Sequence, residues 1–120
     1  MIKLFALVTA SMLVLILPRI DPDVASLGGR VTDEKLAGIA AATISARNAF
    51  SGEVEYATSD ATGFYKFAAL RQGRYSVFVE AEGYCSKWVF NVFLVRGEHT
   101  HLDVTLVGSR KEYGQPIACK

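Results

Sequence analysis

The residues that most often carry catalysis are scarce in this chain. Among its 120 residues there are only two histidines, His99 and His101, and two cysteines, Cys85 and Cys119. The sequence contains no His-Glu zinc motif, no serine in a nucleophile elbow and no glycine-rich loop leading from a strand into a helix. It therefore predicts no catalytic residue, no cofactor and no enzymatic activity.

The chain also lacks an excess of charge of either sign. Lys and Arg number 13 and Asp and Glu number 12, which gives a formal net charge of +1. A nearly neutral surface has no strong field to attract nucleic acid or anionic lipid. The length allows a single domain with a single core once the N-terminal segment is set aside. We therefore expect one domain that binds neither nucleic acid nor a membrane surface.

One uncharged apolar run occupies residues 4–17, between Lys3 and Pro18. Its length of about 14 residues is typical of a secretory signal and short for a spanning helix, which needs roughly 20. Residues 1–25 are therefore predicted to be a signal peptide, with a retained anchor as the alternative. Cleavage after Ala25 would place Asp23 where a small residue is preferred, so both alternatives stay open. We expect the remainder to be secreted, periplasmic or at the cell surface.

Both cysteines fall in the part of the chain that would be exported. An oxidising compartment favours a disulfide between Cys85 and Cys119, whereas a reducing one would leave two free thiols. The expected organisation is a domain over residues 26–108, followed by a tail over residues 109–120 that the disulfide would tether to it.

From Leu27 onward the apolar residues alternate with polar ones in short runs, and no long helical periodicity occurs. Gly, Asn, Asp and Ser clusters separate the runs, as in an all-β protein. Seven short strands of this kind predict a two-layer sandwich. The predicted strands cover residues 27–32, 41–47, 53–58, 64–68, 74–81, 87–95 and 100–107.

The runs and the connectors between them form an ordered set of motifs. The motifs are Gly-Arg-Val-Thr-Asp at 29–33, Leu-Ala-Gly-Ile at 36–39, Asp-Ala-Thr-Gly-Phe-Tyr-Lys-Phe at 60–67, Leu-Arg-Gln-Gly-Arg-Tyr-Ser-Val at 70–77, Ala-Glu-Gly-Tyr at 81–84, Val-Arg-Gly-Glu at 95–98 and Leu-Asp-Val-Thr-Leu at 102–106. In this order the motifs resemble the carboxypeptidase regulatory-like domain, and the likeness covers about residues 27–107.

This resemblance implies a seven-stranded, Greek-key-type sandwich of the transthyretin-like (prealbumin-like) kind, loosely grouped with carbohydrate-binding-like folds. It also implies an accessory module of the sort found beside an enzyme, a receptor or a surface protein. Transthyretin-like relatives that hydrolyse hydroxyisourate depend on a C-terminal Tyr-Arg-Gly-Ser. This chain ends instead in Gly-Gln-Pro-Ile-Ala-Cys-Lys at 114–120, so the resemblance does not extend to that activity.

The run at 87–95 is apolar on both of its faces. A register with Val79 opposite Trp88 would place Trp88, Phe90 and Val92 in the core, together with Tyr75, Val77 and Val79. It would leave an apolar patch facing outward, which a free monomer does not usually leave bare. The predicted contact surface consists of Phe78, Val89, Phe93 and Val95.

Three kinds of cover for this patch stay open. The tail, with Tyr113 and Ile117, could be drawn across it by a bond between Cys85 and Cys119. A protein partner or a second copy of the chain could bind there, or a polysaccharide could stack on the aromatic rings. We expect a non-catalytic binding or scaffolding module, with protein contact as the first hypothesis and carbohydrate binding as the alternative.

His99 and His101 lie two residues apart on a predicted strand, so both imidazoles should point to the same face. They are the candidates for a zinc or copper site. Two ligands rarely hold a structural or catalytic zinc ion, however, so no metal site is predicted.

Overall fold

The fold is an all-β sandwich, as the sequence predicts. The computed structural model describes residues 23–109, 111–112, 115–116 and 119, so residues 1–22 of the predicted signal segment lie outside the described residues. The strands are β1 (Val24–Thr32), β2 (Thr43–Asn48), β3 (Val54–Thr58), β4 (Phe64–Arg71), β5 (Gly73–Glu80), β6 (Lys87–Leu94), β7 (His99–His101), β8 (Val104–Thr105), β9 (Lys111–Glu112) and β10 (Gln115–Pro116). No helix in the part of the chain described is long and apolar enough to cross a membrane.

Two four-stranded sheets form the sandwich. In the first, β1 is central: it pairs antiparallel with β4 on one side and parallel with β7 and then β8 on the other. In the second, the order is β3-β2-β5-β6 and every pair is antiparallel. β3 and β6 are therefore the edge strands of the second sheet.

The core lies between the sheets and follows from the alternation within the strands. On β5, Tyr75, Val77 and Val79 are buried, whereas the residues between them are partly exposed. They pack with the inward residues of β1 and β2 in one hydrophobic cluster. Complete burial of such a side chain is worth roughly 1.5–3 kcal/mol.

The side chain of Asp60 holds the tight turn between β3 and β4. The Asp60 carboxylate accepts hydrogen bonds from the backbone of Thr62 and Phe64, each at 2.9 Å, and from the Thr62 hydroxyl at 2.8 Å. These bonds favour the charged carboxylate and hold the pKa of Asp60 below its usual value, the Thr62 hydroxyl having the largest effect. Gly63 has a φ of 93°, which glycine adopts without strain.

The last predicted strand, residues 100–107, was wrong as a single element. It is broken between β7 and β8, where the Leu102 carbonyl turns inward and accepts a hydrogen bond from the Tyr65 hydroxyl. A side chain at Gly29 would collide with that carbonyl. The break therefore depends on the absence of a side chain at Gly29 and on the buried donor of Tyr65.

The first strand begins earlier than predicted. Val24 pairs with Arg71 and Ala25 with Leu70, and the Ala25 side chain is buried in the core. Two residues assigned to the signal segment therefore belong to the sandwich.

The tail contains a short antiparallel hairpin, β9–β10, which the pattern of apolar residues does not predict. Cys85 is bonded to Cys119, with Cα atoms 5.4 Å apart, as predicted. The Cys85 amide donates to the Val107 carbonyl and the Ser109 amide donates to the Gly83 carbonyl, so the start of the tail runs beside the loop between β5 and β6.

Candidate functional site: an aromatic face on the second sheet

The outer face of the second sheet carries a row of side chains that spans all four strands. Ser45 on β2 pairs with Tyr56 on β3 and with Phe78 on β5, and Phe78 pairs in turn with Trp88 on β6. Paired residues lie on the same face of a sheet, so Trp88 shares the outer face with Phe78. This row places the only tryptophan of the chain at the edge of the sheet.

Three rings of this face form one cluster, which we call the aromatic cluster: Phe78, Trp88 and Phe90. The Phe78 and Trp88 rings have centroids 4.5 Å apart and are tilted by 30°. The Trp88 and Phe90 rings are stacked, with centroids 5.5 Å apart and planes 8° from parallel. Aromatic pairs at such distances add about 0.5–1.5 kcal/mol beyond the area that they bury, so the rings support one another.

The predicted register between β5 and β6 was wrong for the first half of β6 and correct for the second half, where Tyr75 pairs with Val92. Trp88 lies opposite Phe78 rather than Val79, and Val79 lies opposite Lys87. Trp88 and Phe90 therefore face outward instead of into the core. Val89, assigned to the outer contact surface, instead lies half-buried against the core opposite Val77.

A β-bulge causes the difference. Val77 pairs with Val89 and Tyr75 with Val92, so two residues of β6, Phe90 and Asn91, stand opposite Ser76 alone. Asn91 has a φ of 58°, in the left-handed region. The extra residue reverses the alternation: even-numbered side chains point outward before the bulge, whereas Val92 and Leu94 point inward after it. The asparagine inside an apolar run was the available signal, because Asn tolerates this conformation better than most residues.

The outward-facing apolar residues of β6 and of its C-terminal end are widely accessible. We call the aromatic cluster together with Phe93 and Val95 the aromatic face. Phe78 is half-buried, and the exposed fractions of the others are 50% for Trp88, 63% for Phe90, 65% for Phe93 and 50% for Val95. No described residue covers these rings. Tyr113 and Ile117, the proposed cover from the tail, lie outside the described residues.

The histidines lie on the opposite side of the sandwich. His99 and His101 are in β7 and line a shallow cavity of about 400 Å³ on the outer face of the first sheet. His99 Nδ1 is 2.7 Å from the Ser26 hydroxyl, and His101 Nε2 is 2.9 Å from the Asp103 carboxylate. Within the described residues, no group of three or more His, Cys, Asp or Glu side chains is arranged to hold a metal ion.

Tyr65 lies beneath the same region. Its burial raises the pKa of the phenol above its usual value, and the nearby Asp103 carboxylate adds to the shift because it disfavours a second negative charge. Tyr65 therefore stays a neutral donor, which its bond to the Leu102 carbonyl requires.

The chain is similar to a known protein family and to several solved structures. A family model described as the carboxypeptidase regulatory-like domain matches residues 26–107. No curated protein sequence matches the chain.

Solved structures with a similar fold have diverse descriptions. One is a putative carbohydrate-binding protein from Bacteroides uniformis, with a TM-score of 0.60 and 19% identity over 74% of this chain and 43% of that one. A second belongs to a type II cohesin–X-dockerin complex from Acetivibrio cellulolyticus, with a TM-score of 0.58 and 14% identity over 71% of this chain and 58% of that one. A third is catechol 1,2-dioxygenase from Acinetobacter radioresistens, with a TM-score of 0.60 and 16% identity over 76% of this chain and 54% of that one.

In each case the chain spans less than two thirds of the protein that it resembles. At these identities the likeness concerns the fold, which by itself does not select a function.

Proposed function

The chain belongs to the carboxypeptidase regulatory-like domain family, and from this premise we propose that it is a non-catalytic accessory module that binds a protein partner through its aromatic face. Fold neighbours described as a cohesin–dockerin complex and as a carbohydrate-binding protein suit a binding module. The choice between these two kinds of ligand depends on the site.

The aromatic cluster at an exposed sheet edge is the observation that carries the proposal. Trp88, Phe90 and Phe93 are each at least half exposed, whereas the core of the same sheet is fully buried. Contiguous apolar surface on a soluble domain usually marks an interaction site, and Trp and Phe are enriched in protein interfaces. An outer face rich in aromatic rings is thus expected to be covered by a partner.

The arrangement of the rings favours protein over sugar. A sugar ring stacks on a free aromatic face, but Trp88 already turns ring surface toward both Phe78 and Phe90. Their outward edges suit apolar side chains of a partner. Carbohydrate binding is the second candidate, because exposed Tyr56 and Trp88 lie in one row with the hydroxyl of Ser45 between them.

We also propose that the domain works outside the cytoplasm, as a secreted, periplasmic or surface protein. The disulfide between Cys85 and Cys119 suits an oxidising compartment, and the apolar run at 4–17 suits export.

The test is a capture experiment with matched variants. Immobilised wild type, Trp88→Ala and Phe64→Ala are incubated with envelope extract, and each retained protein is quantified. Phe64 is the control because it is 51% exposed, as much as Trp88, but lies on the first sheet. We expect a partner held by wild type and Phe64→Ala, and at least about tenfold weaker retention by Trp88→Ala, as for the loss of an interface hot spot.

Two parallel measurements separate the other outcomes. A mass that rises with concentration in wild type but not in Trp88→Ala would identify the partner as a second copy of the chain. Retardation in polysaccharide affinity gels that Trp88→Ala abolishes would replace the proposal with carbohydrate binding. Retention unchanged in Trp88→Ala, with the variant folded by circular dichroism, would overturn both.

A further inference from the structure

The outer face of the first sheet has a trough built around one glycine. Gly28 pairs with Lys66 on β4 and with His101 on β7, so it lies between these two side chains in a single row. Because Gly28 has no side chain, the centre of the row has room for part of the His99 imidazole. The trough forms part of the cavity of about 400 Å³ that both histidines line.

His99 leans along β7 toward the row that contains His101. His99 and His101 are two residues apart on one strand, so their side chains lie on the same face. Their Cα atoms are separated by roughly 6.6 Å at the usual rise of a strand. The Cε1 atom of His99 is 3.3 Å from the position that a Cβ of Gly28 would take, and Gly28 is the register partner of His101. The imidazole of His99 thus lies over the glycine, between its own row and the next.

In each imidazole, one ring nitrogen makes a hydrogen bond within the protein, and the other nitrogen is available to bind a ligand. In the tautomer in which His99 Nδ1 donates to the Ser26 hydroxyl, at 2.7 Å, its Nε2 carries a free lone pair. In the neutral tautomer in which His101 Nε2 donates to the Asp103 carboxylate, at 2.9 Å, its Nδ1 carries a free lone pair. The same carboxylate oxygen accepts the Arg30 backbone amide at 2.9 Å, so Asp103 is itself fixed.

These contacts match the support that metal-binding histidines receive in proteins. A ligating imidazole typically donates its other N–H to a carboxylate or another oxygen, which fixes the tautomer and raises the basicity of the ligand. Among the described residues, His99 and His101 both have such a partner, Ser26 and Asp103 respectively.

We propose that His99 and His101 form an exposed two-imidazole site for a late divalent transition ion, with water completing the coordination. Imidazole nitrogen suits copper, nickel and zinc, and the usual order of affinities makes copper(II) the tightest of the three. With two protein ligands, and with the cationic Lys66 across Gly28, the ion exchanges readily. The site lies on the sheet opposite the aromatic face and is independent of the proposed protein partner.

The experiment is a calorimetric titration of the oxidised full-length chain with copper(II) at neutral pH, in a weakly competing buffer. The chain has only these two histidines, and both cysteines are in the disulfide, which simplifies the assignment. We expect saturable binding of one ion. His99→Gln and His101→Gln should each lower the affinity at least about tenfold, and Ser26→Ala and Asp103→Asn about 10- to 100-fold, as typical for supporting residues.

Lys66→Met serves as the control, since it alters the trough without removing a ligand, and it should bind copper(II) at least as tightly as wild type. Copper(II) should also broaden the NMR signals of both imidazoles together. Absence of saturable binding, or an affinity that survives either histidine substitution, would overturn the proposal. Broadening of one imidazole alone would do the same.

Discussion

At the scale of single residues, Tyr65 shows how a polar atom shapes the sandwich. Its hydroxyl donates to the Leu102 carbonyl at the break between β7 and β8. The carbonyl can enter the space between the sheets because Gly29 leaves room for it. Without the hydroxyl, that carbonyl would be left without this partner, which typically costs about 1–3 kcal/mol.

Tyr65→Phe should therefore lower the free energy of unfolding by about 1–3 kcal/mol. The wild type should also lose stability in alkaline solution. Since the pKa of Tyr65 is raised in the fold, its contribution is complete below the ordinary tyrosine pKa, near 10, and decreases as the pH rises above it. Urea unfolding between pH 8 and 11 measures both effects.

The control for this series is Tyr56→Phe, at an exposed side chain, which should change stability by no more than about 0.5 kcal/mol. An alkaline loss of equal size in Tyr65→Phe and wild type would contradict the assignment to Tyr65.

At the scale of secondary-structure elements, the bulge in β6 decides which side chains form the aromatic face. Phe90 and Asn91 oppose a single residue of β5, and the positive φ of Asn91 makes the bulge possible. Without that extra residue, the side chains on the two halves of β6 could not keep both Trp88 and Phe93 outward while Val92 and Leu94 stay in the core.

Substitutions at Asn91 should show whether the stability of the bulge depends on the backbone conformation of this residue or on the contacts of its side chain. Asn91→Gly should be close to neutral because glycine adopts a positive φ freely. Asn91→Val should destabilise by about 1–2 kcal/mol because a branched side chain is strained there. Denaturant unfolding of both variants gives the comparison, and equal stability would show that the bulge does not require the left-handed conformation.

The first strand gives a second prediction at this scale. A chain that starts at Ser26 would lose the pairs of Val24 and Ala25 on β4, together with the bond from the Gly97 amide to the Val24 carbonyl. At roughly 1 kcal/mol per hydrogen bond, plus the burial of Ala25, we expect a loss of about 2–4 kcal/mol.

The comparison for this truncation is a chain that starts at Asp23, whose carbonyl accepts the Gln72 amide. Thermal unfolding should show the longer chain to be the more stable. Equal melting temperatures would mean that the sandwich does not need Val24 and Ala25.

At the scale of the whole molecule, the disulfide links the loop after β5 to the tail beyond β8. The two cysteines are separated by 34 positions, so the bond closes a loop that contains every strand from β6 to β10. A loop of this length restricts the unfolded chain by roughly 3.5–4 kcal/mol in the chain-entropy estimate. That is a large share of the stability of so small a domain.

The double substitution Cys85→Ser/Cys119→Ser should therefore reduce the free energy of unfolding by about 2–4 kcal/mol. Reductant should bring the wild type to the same stability and leave the variant unchanged, which is its internal control. Dye binding to exposed apolar surface, measured on the same samples, tests whether the tail covers the aromatic face. Unchanged binding on loss of the bond would exclude that cover.

The two outer faces of the sandwich have different chemistry. The second sheet presents stacked aromatic rings, whereas the first presents histidines, Lys66 and Asp60 around a glycine trough. The candidate surfaces therefore lie back to back on one small domain, and a substitution on one leaves the other available as a control.

The amino-acid sequence by itself determined the fold class and the approximate positions of the first six strands, because the alternation of apolar residues and the backbone preferences of Asp and Gly between the runs are local properties. It also indicated Phe93 and Val95 as outward residues and the pairing of Cys85 with Cys119. The tertiary structure alone decided that Trp88 and Phe90 lie outside, that Val89 lies against the core and that β7 and β8 are separate. Those outcomes depend on the register between strands, and one residue in the left-handed conformation at Asn91 reverses every side chain that follows it.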